Sequence, residues 1–217
     1  MGAGPVTTVT GRIILGESCV AEGAAWLATQ DARFDAALAT LGPLPLRLRD
    51  DGFAALVSAI CGQQVSVASA SAIFARLDTA GMTDPKRVAS AREDDLRALG
   101  LSRPKARYVR ALAAADIDYI ALRTLPTDQV IATLVAVPGI GVWTAEIYAM
   151  FSLGRADVIA PGDLALQEGA RMLFDLPARP TAGALRAMAE DWSPWRSVAA
   201  RLLWAYYAQM KLREGIR

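Results

Sequence analysis

Histidine is absent from the 217 residues of this chain. That removes imidazole from every role, as general base, proton shuttle or metal ligand, and argues against a Ser-His-Asp hydrolase or a histidine-ligated zinc enzyme. Cysteine is nearly as scarce. Cys19 and Cys61 are the two present, far apart and in no metal-ligand spacing. A four-cysteine zinc or iron–sulfur site cannot be assembled from them, so reduced structural thiols are expected. No apolar run approaches the roughly 20 residues of a membrane-spanning helix. The N-terminus also lacks the basic-then-apolar pattern of a secretion signal. A cytoplasmic protein is expected. Neither charge is in excess: 23 Lys and Arg face 22 Asp and Glu, a net +1.

What is present is apolar and helix-forming. Hydrophobic residues make up 53% of the chain and charged ones 21%, which rules out a disordered tail. Alanine and leucine dominate and β-branched runs are short, so an all-α fold is expected, as one well-buried domain or two small lobes. Residues 1–12, rich in Gly, Thr and Pro, read as a flexible N-terminus. Ile13 to Leu15 could form a short extended piece. Ala25, Trp26, Phe34, Leu38 and Leu41 predict one or two helices between residues 22 and 41, and Pro43 and Pro45 mark a connector after them.

Phe53, Leu56, Val57 and Ile60 share one stripe, which predicts a helix from Phe53 to Gly62. Ser66 is placed to cap the next helix, with Val67, Ala70, Ile73, Phe74 and Leu77 turned inward. The intervening Gln63-Gln64-Val65 sets two amides between apolar helices. Further helices are expected at 85–89, 93–99, 104–115, 128–135, 143–153, 164–174, 182–189 and 194–212. Trp26, Trp192 and Trp195 read as core or lobe-joining residues.

Charge is uneven along the chain. From Lys86 to Arg110, eight basic residues face three acidic ones, Glu93, Asp94 and Asp95. Such a stretch is either a solvated helical surface or a contact for a phosphate backbone.

The most informative segment is VPGIGVWTAEIYAMFSLGRADVIAPGD, from Val137 to Asp163. A Pro-Gly-Ile-Gly turn joins two helix-like stretches, and Gly139 and Gly141 tolerate positive φ. Backbone N–H groups at such a helix start can hold an anion, phosphate above all. Trp143 follows at once. Asp163 comes twenty residues after it, beside a Pro-Gly break and at an expected helix start. Spacing alone leaves Asp163 as a helix cap or as a catalytic carboxylate.

This segment resembles the helix-hairpin-helix signature of the base-excision DNA glycosylases, and among them the DNA-3-methyladenine glycosylase II family. Three further blocks agree: AICGQQVSV from Ala59, GLSRPKARYVRALA from Gly100 and WSPWRSVAARLLW from Trp192. The resemblance runs from about Phe53 to the C-terminus.

It implies two helical lobes, with the helix-hairpin-helix in a six-helix lobe at 51–156. Residues 13–50 and 157–217 would form the other lobe, and a substrate cleft would lie between them. It implies excision of alkylated purines such as 3-methyladenine and 7-methylguanine from double-stranded DNA, by a monomer. Asp163 would be the catalytic carboxylate. Trp143 stands where bifunctional members carry a lysine nucleophile, so strand cleavage through a Schiff base is not expected. Trp204 would wall the base pocket with Trp143 and favour charged purines by cation–π contact. Ile147 and Leu164 would line the same pocket at positions where relatives carry aromatics. Gln64 would be the wedge that fills the vacated stack. Gly139, Gly141 and Trp143, with Thr144 nearby and Lys105, would hold phosphates. The carbonyls of Val135, Val137 and Ile140 would bind a monovalent cation, Na or K. No other cofactor and no iron–sulfur cluster is expected. The rival readings are a glycosylase for deaminated or oxidised bases, or a non-catalytic helix-hairpin-helix module.

Overall fold

The computed structural model describes residues 10–213, and these hold thirteen α-helices, one 3-10 helix and no strand. The chain divides into two compact units, one running through Leu48 and resuming at Ala149, the other spanning Arg49–Tyr148. The first nine residues of the expected flexible N-terminus lie outside the described residues. Arg12 does not follow that expectation: it pairs with Glu22, and its guanidinium lies 4.6 Å over the Trp195 ring. The extended piece exists as one antiparallel bridge between Ile13 and Arg155, flanked by an Ile14 N–H bond to the Gly154 carbonyl at 2.7 Å.

The discontinuous unit opens with α1 (Glu17–Gln30) and α2 (Ala32–Leu41). Asp31 separates them and caps α2, its carboxylate accepting from the Arg33 N–H at 2.8 Å. Phe34 of α2 is fully buried and meets Phe174 and Trp192 edge-on at 5.5 and 5.7 Å. Each such buried ring contributes roughly 1.5–3 kcal/mol relative to exposure. Trp192 and Trp195 are core residues as expected, at 4% and 3% exposure, whereas Trp26 is half-buried.

The contiguous unit carries α3 (Phe53–Gly62), α4 (Val67–Thr79), α5 (Pro85–Ser90), α6 (Glu93–Ala98), α7 (Arg103–Ala114), α8 (Tyr119–Leu122), α9 (Thr127–Val135) and the start of α10 (Val142–Phe151). Ser66 caps α4 by accepting from the Ser69 N–H at 3.2 Å. The inward stripe of α4 reduces to Ile73 and Leu77, because Val67, in its first turn, is 84% exposed. Arg123 clamps Asp51 through two N–H donors at 2.7 and 2.9 Å, which ties the end of α8 to the residues before α3.

Two expectations about this unit change. It contains eight helical segments, α3 to α10, in place of six. Its end falls inside α10 at Tyr148 rather than at residue 156. The reason is packing: Phe151 lies 5.8 Å from the Trp204 ring and 4.8 Å from the Arg201 guanidinium, both in the discontinuous unit.

That unit is completed by α11 (Leu164–Leu173), α12 (Ala182–Met188), the 3-10 turn Ala189–Trp192 and α13 (Arg196–Arg213). Helices α11 and α13 touch at Gly169, where an added Cβ would lie 2.6 Å from the Leu203 carbonyl oxygen. This close approach brings Trp204, the next residue, to the start of α11.

Candidate functional site

In the contiguous unit, the hairpin between α9 and α10 is held by side chains from elsewhere in the sequence. Gly139 has φ +92°, and an added Cβ would meet the Tyr108 ring at 2.2 Å. Glycine is thus required twice, by backbone conformation and by space. Gln63 donates its Nε2 to the Gly139 carbonyl at 2.8 Å, so the turn after α3 is tied to the hairpin. Gly141 is different: it does not use the positive φ it could tolerate, and an added Cβ would meet nothing within 4 Å. Its carbonyl accepts the first intrahelical bond of α10, from the Ala145 N–H at 3.0 Å. Trp143 is 48% exposed and Ile147, one helical turn on, is half-buried on the same face. Thr144 is 8% exposed, so it belongs to the interior more than to a surface grip. Of the three carbonyls expected to meet a cation, that of Val137 accepts from the Ile140 N–H at 3.1 Å.

Gln64 has φ +55°, a left-handed conformation that a non-glycine residue adopts at a cost, and its side chain is exposed. Val65 and Val67 beside it are exposed as well, at 39% and 84%. The turn therefore projects an amide between two apolar shoulders.

Lys105 does not offer a phosphate contact. It is 9% exposed and donates its Nζ to the Cys61 carbonyl at 2.9 Å, closing the C-terminal end of α3. Burial pushes the neighbouring Cys61 thiol up to about 11, which makes it an inert structural thiol. The acidic residues of the 86–110 stretch are all engaged, Asp95 by Arg92, Asp94 by Arg97, and Glu93 by Arg107. The exposed basic surplus there narrows to residues such as Lys86, Arg87 and Arg110.

The discontinuous unit holds the carboxylate. Asp163 is the N-cap of α11, its Oδ1 accepting from the N–H groups of Ala165 and Leu166 at 2.9 and 3.0 Å. A third donor reaches the same oxygen: Trp204 Nε1–H at 3.1 Å. Three donors on one oxygen fix the plane of the carboxylate. The preceding turn is braced by Gln167, a buried residue whose Nε2 donates to the Pro161 carbonyl at 2.8 Å. Leu164, beside the aspartate, is 61% exposed. Both roles left open by the spacing are therefore compatible with the geometry.

Trp204 presents its edge to Asp163, while its ring contacts Phe151 at 5.8 Å and has the Arg47 guanidinium 5.7 Å from its centroid. Sequence reasoning gave Trp204 only a role as a wall. It missed Arg47, Gln167 and Tyr108, for which no local signal exists. Gln63, one of the two amides set between apolar helices, satisfies a backbone carbonyl of the hairpin.

Residues 57–194 match the HhH-GPD superfamily of base excision DNA repair proteins. The chain belongs to this superfamily. The matched HhH-GPD segment contains Gln64, the hairpin and Asp163, and it ends before Trp204. Among the relatives, DNA-3-methyladenine glycosylase 1 of Schizosaccharomyces pombe is 31% identical over 69% of each chain. DNA-3-methyladenine glycosylase 2 of Escherichia coli is 34% identical over 71% of this chain, which spans 57% of that protein's length. A solved Bacillus halodurans DNA-3-methyladenine glycosidase superposes with a TM-score of 0.78 at 30% identity, covering 89% of this chain and 91% of the other. The S. pombe 3-methyladenine glycosylase bound to abasic DNA gives a TM-score of 0.73 at 27% identity, covering 84% and 95%.

Proposed function

We propose that this protein is a monofunctional DNA glycosylase that releases alkylated purines from double-stranded DNA. The observation that carries the proposal is Asp163: a carboxylate oriented by two helix N–H groups and an indole N–H, within a chain of the HhH-GPD superfamily. The named relatives, 3-methyladenine glycosylases, support the substrate class.

The chemistry follows from what the chain contains. When the C1′–N bond of a 3-methyladenine or 7-methylguanine nucleotide breaks, its electron pair neutralises the cationic base, and positive charge develops on the sugar. The departing base then needs no proton, which suits a chain without histidine. Asp163 stabilises the sugar cation by charge and orients the water whose oxygen completes C1′, the released proton passing to solvent. Trp143 has no amine, so no Schiff base forms at that position, and the abasic strand stays intact. Gly139 and Gly141 supply main-chain N–H groups for phosphate contacts, and Gln64 enters the stack when the damaged base turns out. A monovalent cation held by the carbonyls of Val135, Val137 and Ile140 belongs to this reading, since main-chain oxygens are hard ligands suited to it.

The test is a base-release assay on methylated, deaminated and oxidised duplexes, with freed bases separated by chromatography. The expected result is release of 3-methyladenine and 7-methylguanine, with strand breaks appearing only after alkali. Release confined to deaminated or oxidised bases overturns the substrate class, and no release from any duplex overturns catalysis.

A further inference from the structure

Two pieces of the contiguous unit, the turn of Gln64 and the hairpin of Gly139, are distant in sequence and joined by a side chain. Gln63, next to Gln64, donates from Nε2 to the Gly139 carbonyl at 2.8 Å, across 76 positions. An amide donates through its nitrogen, so this bond fixes which end of the Gln63 side chain faces the hairpin. The peptide it reaches is bonded at its other end as well. The Ile140 N–H of that peptide donates to the Val137 carbonyl at 3.1 Å. With both ends held and the Tyr108 ring against Gly139, the planar peptide ahead of the Gly141 N–H is set in place.

The turn is fixed as closely on its own side. Gln64 has φ +55°, a conformation that persists in such a residue where its neighbours hold it. Before it, the Gln63 N–H bonds the Ile60 carbonyl at 3.3 Å, and Lys105 bonds the Cys61 carbonyl at 2.9 Å. After it, Ser66 Oγ accepts from the Ser69 N–H at 3.2 Å. Lys105 and Tyr108 are three residues apart on α7, so one helix braces both the end of α3 and the hairpin. The Gln63 amide closes this frame. Solvating the Gly139 carbonyl needs no side chain, since a water would serve. A side chain from the neighbouring turn adds what water cannot, a fixed position of Gln64 relative to the hairpin.

We propose that Gln63 is a positioning residue that couples the two, holding Gln64 in register with the hairpin. A hairpin seated on the phosphates then presents Gln64 to the stack of the same duplex. This rests on the reading of the hairpin as a phosphate grip and of Gln64 as the wedge, and it adds the link between them. Filling of the vacated stack depends on Gln63 although its own side chain stays outside it.

Gln63→Met tests it, since methionine is unbranched and of similar length and deletes the donor. Affinity of the full chain is measured by fluorescence anisotropy for an undamaged duplex and for one with a tetrahydrofuran abasic analogue. The hairpin keeps its second bond and its packing on Tyr108, so affinity for the undamaged duplex should stay within about threefold. The preference for the abasic analogue should fall by about tenfold, the effect of one hydrogen bond. The fluorescence change of 2-aminopurine beside the analogue should shrink with it. Gln63→Glu, of the same shape with an acceptor in place of the donor, should lose the same preference, because its charge acts on both duplexes alike. Gln64→Ala should lower the preference in the parent and add little in Gln63→Met. A folded Gln63→Met protein with the parent's preference overturns the proposal, as does a full further loss from Gln64→Ala in that background. Equal losses on the two duplexes would mean that Gln63 serves the hairpin alone, and overturn it too. A parent without the preference refutes the wedge and the coupling together. The analogue has no base to release, so absence of glycosylase activity would refute the reading of Asp163 while the preference still decides on Gln63.

Discussion

On the proposed function, the two units would meet DNA with different parts of the polypeptide. In the contiguous unit the groups proposed to act are main chain: a glycine turn with Gly139 at φ +92°, set against Tyr108 and tied by Gln63. In the discontinuous unit they are side chains: Asp163 held by Trp204, and Trp204 overlain by Arg47. Main-chain N–H groups are the same at every nucleotide, so the first unit suits binding without regard to lesion. A carboxylate acts where charge develops, so the second suits the chemical step. The units should therefore fail differently when altered.

The largest effect is expected at the carboxylate. Asp163→Asn keeps an oxygen for the α11 N–H groups, so the cap survives while the charge is lost. Base release should fall by about 10²–10³-fold or more in single-turnover assays, with affinity for abasic-analogue DNA changed by less than about tenfold. Near-parental release by a folded variant would return Asp163 to a purely structural cap and erase the division between the units.

A large effect of the other kind is expected at Gly139. Gly139→Ala drives a methyl into Tyr108 and demands a left-handed φ, so binding to damaged and undamaged duplexes should fall alike by roughly tenfold or more. Gly141→Ala, with open space and no such φ, should stay within about threefold. Equal losses at the two glycines, read by anisotropy, would mean that turn geometry is not what holds the phosphate.

A smaller effect is expected at Trp204. Trp204→Phe keeps an aromatic ring and deletes the N–H that reaches Asp163. One charge-assisted hydrogen bond is lost, so release should slow by about tenfold, in the rate of the chemical step rather than in KM. Because the ring edge serves the carboxylate, 3-methyladenine and the neutral base hypoxanthine should lose equally. A loss confined to the cationic base would restore Trp204 as a cation–π wall.

This contrast also explains what could be read in advance. The hairpin is local: its glycines, Trp143 and the helices on either side lie within one stretch, and α9 and α10 begin within a residue of expectation. The site around Asp163 is not local. Trp204 is 41 residues from Asp163, and the Leu46 carbonyl is 155 residues from the Arg201 that grips it. Such pairs are made by packing, here by the close approach of α11 and α13 at Gly169, and nothing in either segment announces its partner. Lys105 erred for the same reason, since a lysine in a basic stretch reads as surface until the end of α3 is seen to need a donor. The end of the contiguous unit was misplaced because a loop after α10 is legible, whereas the contacts of Phe151 are not.

The smallest effect concerns stability of the contiguous unit alone. Asp51 is joined by Arg123 at 2.7 and 2.9 Å, and that guanidinium holds the Asp51 carboxyl below its ordinary value of 3.8. A carboxylate with a depressed folded pKa stabilises the protein above the pKa of the unfolded chain, and the contribution is lost as pH falls through the folded value. Asp51→Asn should therefore destabilise by about 1 kcal/mol at neutral pH, the worth of a partly exposed bidentate pair, and by progressively less below about pH 4. Hydrogen exchange separates the units: amides of α3 and α8 should lose protection, while those of α11 and α13 hold theirs. A uniform loss across both sets would mean that the units unfold together, and the division of labour between them would then not extend to their stability.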